Sequence, residues 1–219
     1  MAFISKLTDY IIKNYNLIND TLTVIFPNKR AALTLRNELS KRIVQNIWLP
    51  QILSIEEVMS SWSKLKLLDN IDVIYELIKI MNTNVDVSAR KNLFALAAQI
   101  VKDFDEIDQY AVNAENLFDY LKAVKETETW LPGEDGLSKT ESSYLIFFKS
   151  LYSYYNNLRN RLLKDGSAYY GLMTRKLYEL SDEQLFDIVG DKKIIFAGFN
   201  ALTYTEENII VRLVESGKA

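Results

Sequence analysis

The chain has 219 residues, 48% of them hydrophobic, which is enough to bury the core of one large domain or of two smaller ones. Neither cysteine nor histidine occurs, so disulfides, thiolate metal sites and Ser-His-Asp or Cys-His catalysis are excluded. The net charge is −3, but residues 1–60 carry 7 Lys/Arg and 5 Asp/Glu, while residues 61–190 carry 15 and 20. Residues 191–219 carry 4 of each, so a polyanion is expected to meet the two ends of the sequence rather than its acidic middle.

No membrane segment is predicted. There is no apolar run near the length of a transmembrane helix, and residues 1–6 lack the long apolar core of a signal peptide. We therefore expect a cytoplasmic chain without a membrane partner.

Because residues 215–219 follow a helix that should lead into a further strand, we also expect a chain cut from a longer protein.

The first part of the chain predicts a helix over residues 2–14, then a strand, a short polar turn and a second helix. Residues 22–26 (LTVIF) form the apolar, β-favouring run typical of a strand buried in a parallel sheet. Asn28 is placed to be the N-cap of the second helix, and Lys29 and Arg30 follow it. Their charge, the free N–H groups and the helix dipole all favour an anion here, although solvated surface charges are an equally good interpretation.

The middle of the chain predicts helices. Ser54 and Glu57 have the spacing of a capping box, which opens a helix after a second short strand. From residue 63 to residue 189 no strand is predicted, and the Pro- and Gly-containing residues 125–139 predict an exposed loop. Helical periodicity, with caps at Ser88, Asn113 and elsewhere, covers residues 28–43, 54–62, 70–81, 88–110, 113–124, 141–164, 167–180 and 181–189.

The last part of the chain returns to a strand, a loop and a helix. Residues 193–197 (KIIFA) predict a buried strand that ends at Gly198, and Thr205 is expected to cap a final helix over residues 206–215. Two such segments flanking a helical stretch predict an α/β fold, with one parallel sheet interrupted by a large all-α insertion. The predicted domains are residues 1–62, a helical insertion over residues 63–189, and a return to the first domain at residues 190–219.

Several stretches invite a chemical interpretation. A nucleotide-binding loop needs closely spaced glycines that bring amides to the phosphates, but the first glycine is Gly133, so ATP hydrolysis by the opening segment is not expected. Residues 103–108 (DFDEID) could be a Walker B-like sequence or a carboxylate metal site, but their helical spacing favours an acidic, solvated helix end. The aromatic residues of 144–155 could stack on bases, although core packing is favoured, and the basic residues at 159, 161 and 164 are expected to be exposed.

Residues 27–39 (PNKRAALTLRNEL) resemble motif Ia of superfamily I helicases, where a strand leads through a turn into a helix that contacts single-stranded DNA. An ordered set of further segments resembles the N-terminal part of AddB/RecC-like proteins, helicase-derived subunits of bacterial helicase-nucleases that process double-strand breaks. The likeness is strongest to the Bacteroidetes-type branch, described as an inactivated helicase with a C-terminal PD-(D/E)XK nuclease domain. The matching segments are IWLPQI (47–52), SIEE (54–57), DFDEID (103–108), AYYGLMTR (168–175) and FAGFNAL (196–202).

This resemblance implies a degenerate RecA-like domain, of the P-loop type, that acts as a catalytically inactive DNA-binding and scaffolding module. It implies no catalytic residue, cofactor or metal in this fragment, with Mg²⁺ expected only in the nuclease domain of the full-length hydrolase. The implied partners are DNA, as a single strand or a duplex end, and a helicase-nuclease subunit. Since open α/β sheets bind ligands at the carboxyl ends of their strands, the expected DNA-binding residues are Asn28, Lys29, Arg30, Asn200 and Thr203.

An alternative function stays open. The helical insertion could dock a helicase partner while the chain makes no direct contact with DNA. The acidic middle of the sequence favours this alternative, whereas the basic turn at Lys29 and Arg30 favours DNA binding. Gly198 likewise has an ordinary structural interpretation, as the residue of a tight turn.

Overall fold

The computed structural model describes residues 2–17, 21–43, 47–81, 93–129 and 139–219, without the side chains of residues 2, 125–129, 139–145 and 148. In these ranges the chain is mostly helical and contains a small parallel sheet. It divides into two compact units. The α/β unit comprises Met1–Lys64 and Met173–Ala219, and the helical unit comprises Leu65–Leu172.

The described residues form ten helices and five strands. The first are α1 (Ala2–Asn14), β1 (Leu22–Phe26), α2 (Lys29–Arg42), β2 (Gln51–Ser54), α3 (Ile55–Ser63), β3 (Lys66–Leu67) and α4 (Asn70–Met81). They are followed by α5 (Leu93–Gln109), α6 (Ala114–Thr129), α7 (Lys139–Lys164), β4 (Ser167–Ala168), α8 (Tyr170–Tyr178), α9 (Asp182–Val189), β5 (Lys193–Phe196) and α10 (Tyr204–Glu215). No helix among the described residues is both long and apolar enough to cross a membrane.

The α/β unit is built on a three-stranded parallel sheet in the order β2-β1-β5. Val24 of the central strand lies opposite Ile52 of β2 on one side and Ile195 of β5 on the other. All five residues of β1 are buried, as expected for a central strand covered on both faces. The strands predicted on either side of the helical stretch therefore do lie in one parallel sheet, and the α/β class is confirmed at this level.

The core of the α/β unit forms where α1 and α2 cover one face of the sheet. Side chains alternate between the faces of a strand, so Leu22, Val24 and Phe26 share one face, and they pack in a cluster with Ile11 of α1 and Leu35 of α2. All five side chains are at most 3% exposed. This packing fixes the position of α2 relative to β1, and hence the position of the turn that joins them.

The helical unit contains a short parallel pairing that the sequence pattern does not predict. Lys66 of β3 lies opposite Ser167 of β4, and Leu67 lies opposite Ala168. The expectation that residues 63–189 hold no strand is therefore wrong at these four residues, because two-residue strands are too short to show a period of two. The helices of this unit pack as α4 on α5, α6 on α7 and α4 on α7.

The helical unit ends at Leu172, whereas the predicted boundary lies between residues 189 and 190. Residues from Met173 onward belong to the α/β unit, and side-chain contacts join this segment to α10. Arg212 of α10 donates to the carbonyl oxygens of Tyr178 and Leu180 at 3.3 and 2.8 Å. Its Nε also lies 2.6 Å from a carboxylate oxygen of Asp182, at the start of α9. These contacts attach the end of α8 and the start of α9 to α10.

The ends of several elements also differ from prediction. The expected loop over residues 125–139 is helical at both ends, since α6 continues to Thr129 and α7 begins at Lys139. The rest of that loop, like the expected cap Ser88, lies outside the described residues. The first two residues of the helix expected over residues 167–180 form β4, and α8 follows them.

Candidate nucleic-acid interface

The three parallel strands of the α/β unit end at one edge of the sheet. Phe26 of β1 lies opposite Ser54 of β2, and Ile25 lies opposite Phe196 of β5. We call the residues at and directly after these strand ends, 27–30, 54–57 and 197–203, the carboxyl edge. In open α/β sheets this is the edge at which ligands bind, and it holds all five of the residues predicted to contact DNA.

Asn28 caps α2 as predicted. Its backbone is extended, with φ −149° and ψ 158°, and its Oδ1 accepts a hydrogen bond from the N–H of Ala31 at 2.9 Å. The N–H groups of Lys29 and Arg30 have no protein acceptor among the residues that the structure describes. The N-terminus of α2 therefore presents two free backbone donors and the positive end of the helix dipole at the carboxyl edge.

The side chains of Lys29 and Arg30 are both exposed. Lys29 Nζ lies 3.7 Å from Glu57 Oε1, and the two side chains are 68% and 40% exposed. Among the described residues Arg30 forms no ion pair. Exposed pairs of this kind contribute about 0.2–1 kcal/mol and are screened by salt, so an incoming phosphate can replace the Glu57 carboxylate at Lys29.

Glu57 also lies at this edge, although it was not among the residues predicted to contact DNA. It completes the predicted capping box of α3, with its Oε2 accepting from the Ser54 N–H at 2.9 Å. That hydrogen bond, more than the Lys29 charge, lowers the pKa of Glu57 below its usual value. The carboxylate is therefore negative at neutral pH and opposes the positive charge of the turn. The capping-box spacing of Ser54 and Glu57 is the sequence feature that could have predicted Glu57 at the carboxyl edge, because it places Glu57 directly after β2.

The loop after β5 carries the other two predicted residues. Gly198 has φ +76°, a left-handed conformation that favours glycine, which supports the tight-turn interpretation. A Cβ at this position would lie 3.6 Å from Phe3 Cε1 and 3.7 Å from Phe26 Cδ1, which is ordinary contact, so the backbone conformation is what requires glycine. Asn200 is exposed beyond this turn and is free to face a ligand from the carboxyl edge.

Thr203 has a structural role that the sequence analysis assigned to Thr205. Thr203 Oγ1 accepts from the Glu206 N–H at 3.4 Å, and Glu206 Oε2 accepts from the Thr203 N–H at 2.8 Å, which makes a capping box for α10. Thr205 is buried and donates to Thr174 Oγ1 at 3.0 Å. The expectation that Thr205 caps the helix is wrong, although the Thr203-x-x-Glu206 spacing was visible in the sequence.

The acidic segment 103–108 is a structural element of the helical unit. Asp103 and Glu106 are exposed, as a solvated helix end requires, but Asp108 is fully buried. Asp108 accepts hydrogen bonds from the hydroxyls of Tyr155 and Tyr169, each at 2.5 Å. The favoured interpretation is therefore wrong for Asp108. No group of acidic residues in the described part of the chain could hold a metal ion.

Asp105 of the acidic segment is hydrogen-bonded to Gly171, at the start of α8. Its Oδ1 accepts from the Gly171 N–H at 2.6 Å, and a Cβ at Gly171 would lie 2.3 Å from the Asp105 carbonyl oxygen. Burial raises the pKa of Asp105. Burial also raises the pKa of Tyr169, with the adjacent Asp108 charge adding to the effect. The acidic segment 103–108 thus contacts Tyr169 and Gly171, in the part of AYYGLMTR that belongs to the helical unit.

The aromatic cluster on α7 packs in the core where it is described. Tyr154 and Tyr155 are 5% and 1% exposed, and the Tyr155 ring meets Phe104 edge-on at 5.2 Å between centroids. The core-packing interpretation is confirmed for these two residues. The expectation that Arg159 is exposed is wrong, since its side chain is 16% exposed and lies 3.6 Å from Asp108. Arg161 is more exposed and is paired with Glu76 at 2.6 Å.

No protein-family model matches the chain. A search of curated proteins also finds no match.

Proposed function

We propose that this chain is a helicase-derived, catalytically inactive module that binds DNA during double-strand-break processing, as in AddB/RecC-like subunits. The observation that carries the proposal is the start of α2. It follows the central strand directly, is capped by Asn28 and presents Lys29 and Arg30 with free backbone donors at the carboxyl edge. The ordered resemblance to the AddB/RecC-like family supports a degenerate RecA-like domain around this edge and a helicase-nuclease subunit as partner.

In this proposal the carboxyl edge recognises phosphate without reading bases. The two free N–H groups and the helix dipole attract a phosphate, and the side chains of Lys29 and Arg30 add charge from the same turn. The phosphate displaces Glu57 from Lys29, since that exposed pair is weak. Asn200 contacts the DNA strand from the loop after β5, while Thr203 supports that loop by capping α10. We assign no cofactor to these residues, and we place Mg²⁺ in the nuclease domain that AddB/RecC-like subunits are described as carrying.

The test is a titration of single-stranded DNA at several salt concentrations with Lys29→Ala/Arg30→Ala and the parent chain. Each lost phosphate contact should flatten the slope of log affinity against log salt by about 0.7. The melting temperature should hardly change, because the apolar face of α2 and the Asn28 cap are untouched. Lys41→Ala is the matched control, an exposed cation in the last turn of the same helix. Equal slopes and affinities for the double variant and the parent would refute the interface.

A second candidate function is a protein-interaction scaffold without DNA contact. One observation favours it: the helical unit has an open recess of about 510 Å³. Apolar side chains of α5, α6 and α7 line most of it, including Ile100, Phe118 and Leu151, with Asp103 and Glu106 at its wall. The scaffold function predicts that the parent chain has no measurable affinity for single-stranded DNA even at low salt, so the same titration separates the two candidates.

A further inference from the structure

Trp48 stands out on the surface of the α/β unit. Its side chain is 94% exposed, while no other large hydrophobic residue that the structure describes exceeds the 67% of Tyr120. Trp48 precedes β2, which is an edge strand, and Pro50 restricts the backbone between them. The indole therefore projects beside the start of the sheet, at the end opposite to the carboxyl edge.

Two open recesses meet at Trp48. The larger is about 550 Å³ and the smaller about 250 Å³, and the walls of both include Trp48, Leu49, Pro50 and Gln51. The smaller recess also reaches Thr21 and Leu22 at the start of β1. A flat ligand lying on the indole could thus extend into a partly apolar recess on either side. We call Trp48 and these two recesses the amino edge.

Each recess of the amino edge contains one cation. Arg36 lies in the wall of the larger recess and Lys192 in the wall of the smaller one, and none of the described residues lining either recess is acidic. Arg36 Nη2 donates to the Ile52 carbonyl oxygen at 3.1 Å, and Lys192 Nζ donates to Gln51 Oε1 at 3.4 Å. Both cations are held by neutral acceptors, so their charge stays available to an anion.

This combination of charge and shape complements a chain of bases and phosphates. An exposed aromatic face is the surface on which an unpaired base stacks, and cations on both sides suit the flanking phosphates. A peptide adding as a further strand to β2 would need the outward backbone groups of that strand. The Arg36 guanidinium already occupies the Ile52 carbonyl oxygen, which makes strand addition the poorer fit.

We propose that Trp48 is a stacking platform for a base of single-stranded nucleic acid, with neighbouring phosphates bound by Arg36 and Lys192. This second site deepens the proposed DNA-binding function and shares with it only the assumption that the chain meets nucleic acid. None of its residues belongs to the carboxyl edge, so the two sites can be refuted separately.

The experiment uses the fluorescence of Trp48 in a Trp62→Phe/Trp130→Phe background, which leaves one tryptophan. Titration with oligodeoxythymidylate should quench its emission, because a stacked base replaces solvent on the indole. In binding assays Trp48→Ala should lower the affinity about 5- to 150-fold, the range expected for loss of one base stack. Arg36→Ala and Lys192→Ala should each flatten the salt slope by about 0.7.

The controls separate the two sites and the competing ligand. Tyr120→Ala, at an exposed aromatic residue of the helical unit, should bind DNA as the parent does. The double variant Lys29→Ala/Arg30→Ala should still show quenching of Trp48 by the oligonucleotide. A loss of affinity in this variant, without loss of quenching, would support the carboxyl edge as a separate site. Parent-like binding by Trp48→Ala, with no quenching by the oligonucleotide, would overturn the stacking site. Quenching by a glutamate-rich peptide but not by the oligonucleotide would overturn it in favour of a protein partner.

Discussion

At the scale of single residues, Asp108 has the most demanding environment described in the helical unit. It is fully buried, accepts from two tyrosine hydroxyls and lies 3.6 Å from Arg159, which itself donates to the Tyr155 hydroxyl at 2.6 Å. A buried carboxylate without such donors would cost several kcal/mol, so these three partners make the burial possible. They also join α5 to α7 and to the residue after β4.

We expect Asp108→Ala to destabilise the protein by about 3 kcal/mol or more, because it leaves Arg159 and two hydroxyls without their shared acceptor. Tyr169→Phe, which removes one donor only, should cost about 1–3 kcal/mol. Urea unfolding monitored by circular dichroism would measure both. Asp103→Ala, at an exposed carboxylate on the same helix, should stay within about 0.5 kcal/mol of the parent. Equal losses for Asp103→Ala and Asp108→Ala would contradict this account.

The environment of Asp108 could not be predicted from the sequence, whereas that of Asn28 could. Capping depends on residues three positions apart, so Asn28, Ser54 and Glu57 are recognisable locally. The partners of Asp108 are 47 and 61 positions away in sequence, and only tertiary packing of α5 with α7 and with the residue after β4 brings them together. The same long-range packing explains why an acidic segment that resembles a solvated helix end contains a buried carboxylate.

At the scale of elements, length decided what the sequence could predict. β1 and α4 have enough residues to show a period or a continuous apolar run, and both were predicted at their observed positions. β3 and β4 have two residues each and were missed. α6 runs past its predicted end to Thr129. The sequence KETET can continue the helix because lysine and glutamate are good helix formers. It was not predicted as helix because it has no apolar residue to mark a buried face.

The capping box of α10 gives a prediction for one element. Thr203→Ala should cost about 1 kcal/mol, within a range of about 0.5–2, because it leaves an N–H of the first turn without an acceptor. Thr203→Asn should retain most of the stability, since asparagine also caps helices well. Thermal unfolding of the two variants beside the parent would test this. If asparagine proved as harmful as alanine, a contact other than the cap would have to explain the role of Thr203.

At the scale of the whole molecule, the sequence predicted the sheet but not the division of the chain. β1 and β5 were expected to pair because both are buried apolar runs followed directly by helices, and they do pair. The helical unit ends at Leu172, whereas the predicted insertion ran to residue 189, and the ordinary amphipathic sequences of α8 and α9 mark no boundary. Arg212 of α10 contacts the carbonyl oxygens of Tyr178 and Leu180, and no local pattern in the sequence reveals this long-range contact.

The proposed inactive helicase fold predicts how the chain responds to nucleotide. Without a glycine-rich cradle, Mg-ATP should produce no thermal shift. A ligand present at 100 times its dissociation constant would add about 2.7 kcal/mol, which is readily measured. Differential scanning fluorimetry with Mg-ATP, and with AMP as the control nucleotide, would check this. A dose-dependent rise in melting temperature with Mg-ATP alone would contradict the proposal.

The pairing of β1 with β5 has a consequence for synthesis on the ribosome. The central strand is made early, but one of its two neighbours is made only after the whole helical unit. The helical unit, Leu65–Leu172, is continuous in sequence, so its contacts are more local and it can fold while β5 is still inside the ribosome. Until then one edge of β1 lacks its partner. An apolar strand edge without its partner is a site for chaperone binding or misassembly. Early folding of the helical unit shortens the effective loop between β1 and β5, which lowers the entropy cost of pairing them.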